Sequence, residues 1–218
     1  VLQENSKIDT IRSSGVGGDG NINLGENTLH DINSDSEIDP SNLTLAAGTG
    51  EVNITGSIGN FERVNNLNIS GNKINFGSNS RFETVRDMTL TSSGNLDLTD
   101  ISNFNFKVGR DLTLQGQNLN LKDIFLPQSS LTRDVKLLAP TGNINLDEVQ
   151  LFTGRNLNLE AQSITTTLPR SNRNELQAGQ DLILKAQTAT LDGLGLFGDK
   201  LSAGRNLEKI LIYKLLEN

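Results

Sequence analysis

Apolar and polar positions alternate in short runs along most of this chain, and the runs return at a steady interval. "DLTLQGQNLNL" (Asp111 to Leu121) sets Leu112, Leu114, Leu119 and Leu121 on one side with polar residues between them. "NLNLEAQSI" (Asn156 to Ile164) and "DLILKAQTATL" (Asp181 to Leu191) repeat the phrase. An alternation of period two predicts strands, and the polar Gly, Asn and Gln bends interrupt any helical spacing of three and four.

The first apolar residue of each run, its lead residue, falls at Leu43, Leu67, Met88, Leu112, Val135, Leu157, Leu182 and Leu207, separated by 24, 21, 24, 23, 22, 25 and 25 residues. The residue before each lead is always Asn or Asp: Asn42, Asn66, Asp87, Asp111, Asp134, Asn156, Asp181 and Asn206. Both residue types tolerate left-handed backbone and hydrogen-bond their own main chain, so the pattern predicts a tight corner there. Arg precedes that residue at Arg86, Arg110, Arg133, Arg155 and Arg205.

A second alternating run follows each first one, with Val52 and Ile54, Ile74 and Phe76, Leu96 and Leu98, Leu119 and Leu121, and Ile144 and Leu146 facing inward. "GDGNINL" (Gly18 to Leu24) matches "TGNINL" (Thr141 to Leu146) and predicts one looser turn ahead of Leu43. A third segment of variable length then carries apolar residues such as Phe61 and Val64, Phe82 and Val85, Phe104 and Phe106, and Leu151 and Phe152, and reads as irregular and loop-bearing. A single rung of 21–25 residues can bury its inward Leu, Ile and Val only against like rungs above and below, about 4.8 Å away. The expected fold is therefore all-β, a parallel β-helix. An antiparallel sandwich also has short strands and Gly turns but gives no reason for a fixed period.

Three regions are expected: an irregular N-terminal rung or edge over 1–42, regular rungs over 43–206, and a cap over 207–218. In "NLEKILIYKLLEN" (Asn206 to Asn218) the bend signals give way to Ile210, Leu211, Ile212, Leu215 and Leu216, which reads as a short helix or strand closing an open sheet edge, or as the end of a reading frame. The opening "VLQENSKIDT" has no Met, basic segment or apolar core of a signal peptide and reads as a start inside a longer protein.

Composition narrows the function. Only 34% of the 218 residues are hydrophobic and 4% aromatic, which suits a thin core. A net charge of −7 repels phosphate backbones and argues against nucleic acid as a partner. No run reaches the ~18 apolar residues of a membrane span, so no membrane insertion is expected. The chain has no Cys and one His, His30, so thiolate metal sites are excluded and no cofactor, metal ligand set or catalytic residue is expected.

"GRDLTL", "GRNLNL", "GQDLIL" and "TGNINL" together resemble the filamentous haemagglutinin-type repeats of large bacterial exoproteins, with Gly-Asn spacing similar to cyanobacterial members. The resemblance spans about Leu43 to Asn206. It implies a right-handed β-helix, export by two-partner secretion through an outer-membrane partner, a secreted or cell-surface location, and use as an adhesin that meets a glycan or protein on a host or neighbouring cell. A β-helical polysaccharide-processing enzyme and a purely structural spacer are the other readings.

Three constellations are candidates for chemistry. Asn23, Asn53, Asn75, Asp97, Asn120 and Asn145 form an outward ladder on the second run, a polar surface for glycans or simply amides that stabilise one another. Asp100, Asp123 and Glu148 recur two residues beyond the second run in neighbouring rungs, close enough for a shared Ca²⁺ or a general acid and base, or else simply solvated turns. "GGDGNINLG" (Gly17 to Gly25) half-matches a nonapeptide Ca²⁺ repeat, but Ile22 stands at a ligand position, and the motif occurs once. The outward residues Thr44, Asn68, Thr89, Thr113, Lys136, Asn158, Ile183 and Glu208 are too mixed for an ice-binding array.

Overall fold

A computed structural model describes residues 6–9, 20–24, 40–59, 63–77, 80–99, 106–126, 133–167, 174–191 and 200–211. These residues contain strands and turns and no helix. The chain coils into a parallel β-solenoid, as the period demands.

Nine segments stack in sequence order on the first face: Ser6–Asp9, Leu43–Ala46, Leu67–Gly71, Met88–Ser92, Asp111–Gln115, the start of Asp134–Asp147, the start of Leu157–Thr166, Asp181–Ala186 and Asn206–Leu211. Each pair is parallel, and the lead residues face one another without slip from Leu43↔Leu67 through Leu112↔Val135 to Leu182↔Leu207. The varying rung lengths are thus absorbed elsewhere in the turn. Ser6 pairs with Leu43, so the stack already exists ahead of the first regular rung. At the other end Asn206–Leu211 continues the first face as a strand, whereas 212–218, the rest of the expected cap, lie outside the described residues.

The second face is built in two blocks. Ile22–Leu24, Glu51–Ile54 and Lys73–Phe76 form one sheet. Leu96–Leu98, Leu119–Lys122, the ends of the two long strands and Thr188–Thr190 form the other. The third segment is more ordered than its composition suggests. Phe82–Thr84 pairs with Phe106–Val108, and Phe125–Leu126, Gln150–Thr153, Glu175–Ala178 and Lys200–Ala203 form a four-stranded sheet. Alternation there sends Leu151 inward and leaves Phe152 half-buried on the outer side. Phe61 and Phe104 lie outside the described residues.

The core is a column of stacked rows. Leu43, Leu67, Met88, Val135, Leu157 and Leu182 are all 1% exposed or less, as are Leu96, Leu119, Ile144 and Ile164 on the second face. Each such side chain contributes about 1.5–3 kcal/mol by leaving water. Phe76, Phe82 and Phe106 fill a wider part of the column, with ring centroids 5.1 and 5.6 Å apart.

One further row makes the first bend possible. Ala47, Gly71, Ser92, Gly116, Ala139, Ala161 and Ala186 occupy equivalent register positions, and all are buried where the first face turns into the second. Small side chains suit the inside of so sharp a bend in these seven rungs, and Leu211 takes the next position of the row beside Ala186.

Candidate functional site

The corner residues bind along the solenoid axis and do not adopt left-handed backbone. None of the eight Asn and Asp residues before a lead residue has a positive φ; among the described non-glycine residues only Asp123, at 53°, and Glu148, at 55°, do. The reason lies in the backbone. At the corner two successive N–H groups point back toward the preceding rung. The first finds a carbonyl, as Arg155 N–H finds Arg133 O at 2.8 Å. The second finds a side chain, as Asn156 N–H finds Asp134 Oδ1 at 3.1 Å and Asn66 N–H finds Asn42 Oδ1 at 3.1 Å. An acceptor on a short side chain is therefore needed once per rung, and Asn or Asp supplies it.

Arg reinforces the same column. Arg110 Nε donates to Asp87 Oδ1 at 2.7 Å, and its Nη2 donates to Asp87 Oδ2. Arg205 grips Asp181 through Nε at 3.0 Å, and Asn206 Nδ2 adds a bond to Asp181 Oδ1 at 2.8 Å. Hydrogen bonding from Arg110 holds the Asp87 carboxyl below the usual carboxylate range, and Arg205 does the same for Asp181. Asp111 and Asn156 are the weak members: the Oδ1 of each is buried without a hydrogen bond, and that of Asp111 lies 3.7 Å from Arg133 Nε.

The outward ladder is a set of amides engaged with each other. Asn75 Nδ2 donates to Asn53 Oδ1 at 2.6 Å, and Asn53 Nδ2 donates to Asn23 Oδ1 at 2.7 Å. Asn145 Nδ2 donates to Asn120 Oδ1 at 2.7 Å. Asp97 turns instead to its own chain and accepts Thr99 N–H at 3.1 Å. The ladder thus falls into two blocks, matching the break in the second face. It ties rungs together and leaves a flat, polar outer surface.

Of the three acids, Asp100 lies outside the described residues, while Asp123 and Glu148 meet at one corner of adjacent rungs. Both sit in left-handed backbone, which L residues adopt at a cost. Burial raises the Asp123 carboxyl above its ordinary range, and the Glu148 charge raises it further. Lys122 Nζ lies 3.4 Å from Asp147 Oδ2 on the strand just before this corner. Among the described residues no three His, Cys, Asp or Glu side chains converge as metal ligands would. Chemically, the pair can share a proton, and the Lys122 charge acts in the opposite sense by lowering the Asp123 carboxyl.

A recess of about 350 Å³ opens at the first bend, lined by Ser92, Ser93, Gln115, Gln117, Pro140 and Thr141, with Gly116 between the glutamines. Three successive rungs contribute. In the third, the strand Asp134–Asp147 runs straight through the bend, with a register shift between Ala139 and Asn143 that carries Pro140 and Thr141 outward. Ser92 Oγ donates to Asn72 O at 2.7 Å and Ser93 Oγ to Asn72 Oδ1 at 3.2 Å, which fixes the floor. The lining is uncharged and rich in hydroxyl and amide groups. Sequence reasoning missed it because each contributor is an ordinary bend residue; aligning the bends by their distance from the lead residue would have brought them together.

Compared with protein-family models, with curated proteins and with solved structures, the chain matches none.

Proposed function

We propose that the chain is a stiff segment of an exported, surface-displayed bacterial adhesin, a stalk that carries attachment points for a glycan or protein of a neighbouring cell and reaches the surface through an outer-membrane partner. The observation that carries this reading is the first face, nine parallel strands in unbroken order tied by Asn, Asp and Arg bonds along the axis. Such a stack spans distance with little flexibility, which is what a stalk requires. The neutral recess between Ser92 and Thr141 suits uncharged polyols, whose hydroxyls pair with hydroxyl and amide groups. The repeat phrases "GRDLTL" and "GRNLNL" supply the resemblance to exported haemagglutinin-type proteins.

A glycan and cell-surface array probed with single and clustered protein tests the reading. Weak binding that strengthens on clustering supports it, because linked sites act at high effective concentration. Silence of clustered protein on every surface would leave a spacer. A second reading, a polysaccharide-processing enzyme, draws on the proton-sharing pair Asp123 and Glu148. Depolymerisation of pectin or alginate that disappears in Asp123→Ala would replace the adhesin reading with it.

A further inference from the structure

The chain contains three Asn-x-Ser/Thr sequons: Asn42-Leu43-Thr44, Asn53-Ile54-Thr55 and Asn68-Ile69-Ser70. Such a triplet is the acceptor for asparagine-linked sugar when the asparagine is accessible. All three lie on or beside strands, so in each the first and third residues project from the same face with the apolar middle residue in the core. Leu43, Ile54 and Ile69 are 1% exposed or less. What separates the sequons is the state of the asparagine amide.

Asn42 is part-buried in the corner column, where its Oδ1 accepts the backbone and side-chain N–H groups of Asn66 at 3.1 and 2.6 Å. Asn53 is held on both sides, donating to Asn23 at 2.7 Å and accepting from Asn75 at 2.6 Å. A sugar on its Nδ2 would crowd an oxygen already 2.7 Å from that nitrogen. Asn68 is different. It is exposed as the second residue of Leu67–Gly71, and no described residue hydrogen-bonds its carboxamide. Its in-register neighbours on the outer face are Thr44 and Thr89, both short, so the space above it is open.

We propose that Asn68 is the glycosylation site of this protein. A transferase would join Asn68 Nδ2 to the anomeric carbon of a glycosyl diphosphate. The bond from that carbon to the diphosphate oxygen breaks, the diphosphate leaves with the electron pair, and the amide proton passes to a base of the transferase. The Asn68 amide retains one N–H and the fold loses no bond. The same attachment at Asn42 or Asn53 disturbs a ladder. The inference holds for a bare spacer as well as for an adhesin, since it asks only that the chain meet such a transferase.

The test is expression of the full chain in two hosts, one with a soluble transferase that uses nucleoside-diphosphate glucose and one with a membrane transferase that uses a polyprenyl-diphosphate glycan. Intact mass and peptide mapping of folded protein give the readout. Sugar on the Asn68 peptide is expected in at least one host, and the host identifies the donor. Asn68→Gln and Ser70→Ala should each abolish it with an unchanged β-sheet circular dichroism spectrum, while Asn42→Gln and Asn53→Gln retain it. No sugar in either host, sugar that survives Asn68→Gln, or occupancy at Asn53 or Asn42 equal to that at Asn68 would overturn the assignment.

Discussion

Asp134 Oδ1 receives both the backbone N–H of Asn156, at 3.1 Å, and its side-chain N–H, at 2.9 Å, from the next rung of the solenoid. Asp111, one rung earlier in the same column, has an Oδ1 with no hydrogen bond at all. Asp134→Ala should therefore cost about 1–3 kcal/mol, the usual consequence of stranding a part-buried N–H. Asp111→Ala should cost less than about 1 kcal/mol, the scale of an exposed ion pair. Urea unfolding of the two variants checks this. Equal losses would mean that the acceptor, as distinct from the residue type, is not what the corner requires.

Glycine before the corner is a matter of space. A Cβ on Gly109 would lie 2.0 Å from the carbonyl oxygen of Val85 in the rung below, while one on Gly94 would lie 2.9 Å from Asn72 O. Gly109→Ala should lower stability by about 1–3 kcal/mol and Gly94→Ala by less, because the second clash needs a much smaller backbone shift. Thermal melts of the pair give the order.

Asp123 and Asp87 predict opposite responses to pH. Asp123 has a folded-state value above its ordinary one of about 3.9, so its contribution is fully present below that value and is lost as pH rises through the raised one. Asp123→Asn, which keeps a residue tolerant of left-handed backbone, should gain stability over the parent as pH rises from about 3 to about 7 and match it at the acid end. Asp87, lowered by Arg110, contributes above its ordinary value and loses that contribution as pH falls through the lowered one. Arg110→Gln should therefore flatten the acid limb. Melting temperature against pH for both variants is the measurement. A difference from parent that does not vary with pH in Asp123→Asn would remove the shared proton from the account.

The inward rows are plain in the sequence because Leu, Ile and Val alternate with polar residues and must face the core. Every lead residue from Leu43 to Leu207 meets its neighbour in register. The Asn and Asp before each lead are equally plain, but their work is not. Sequence shows that a polar residue is needed at the corner; it does not show that the needy N–H belongs to the next rung. Left-handed backbone instead falls at Asp123 and Glu148, where no glycine advertises it. The small-residue row from Ala47 to Ala186 is hidden because Ala, Gly and Ser interchange there, and their common property is volume.

A chain ending at Thr190 should keep its upstream rungs, since each rung packs on its neighbours alone. It would expose the edge of Asp181–Ala186, which in the whole chain pairs with Asn206–Leu211. Circular dichroism should retain the β signal while light scattering rises, as unpaired edges join. Complete cooperative unfolding on this truncation would contradict a stack of locally supported rungs.

The ladders also determine how the molecule would yield to a pull along its axis. Every strand lies across that axis, and the bonds joining Asn206 to Asp181 or Asn156 to Asp134 lie along it, so tension opens one rung at a time. Each release frees the 21–25 residues of one rung, roughly 70–90 Å of slack chain. An end-to-end stretching trace should then be a sawtooth of low, evenly spaced teeth, and a cell tethered by such a rod would be let out gradually under flow and not dropped at a single threshold.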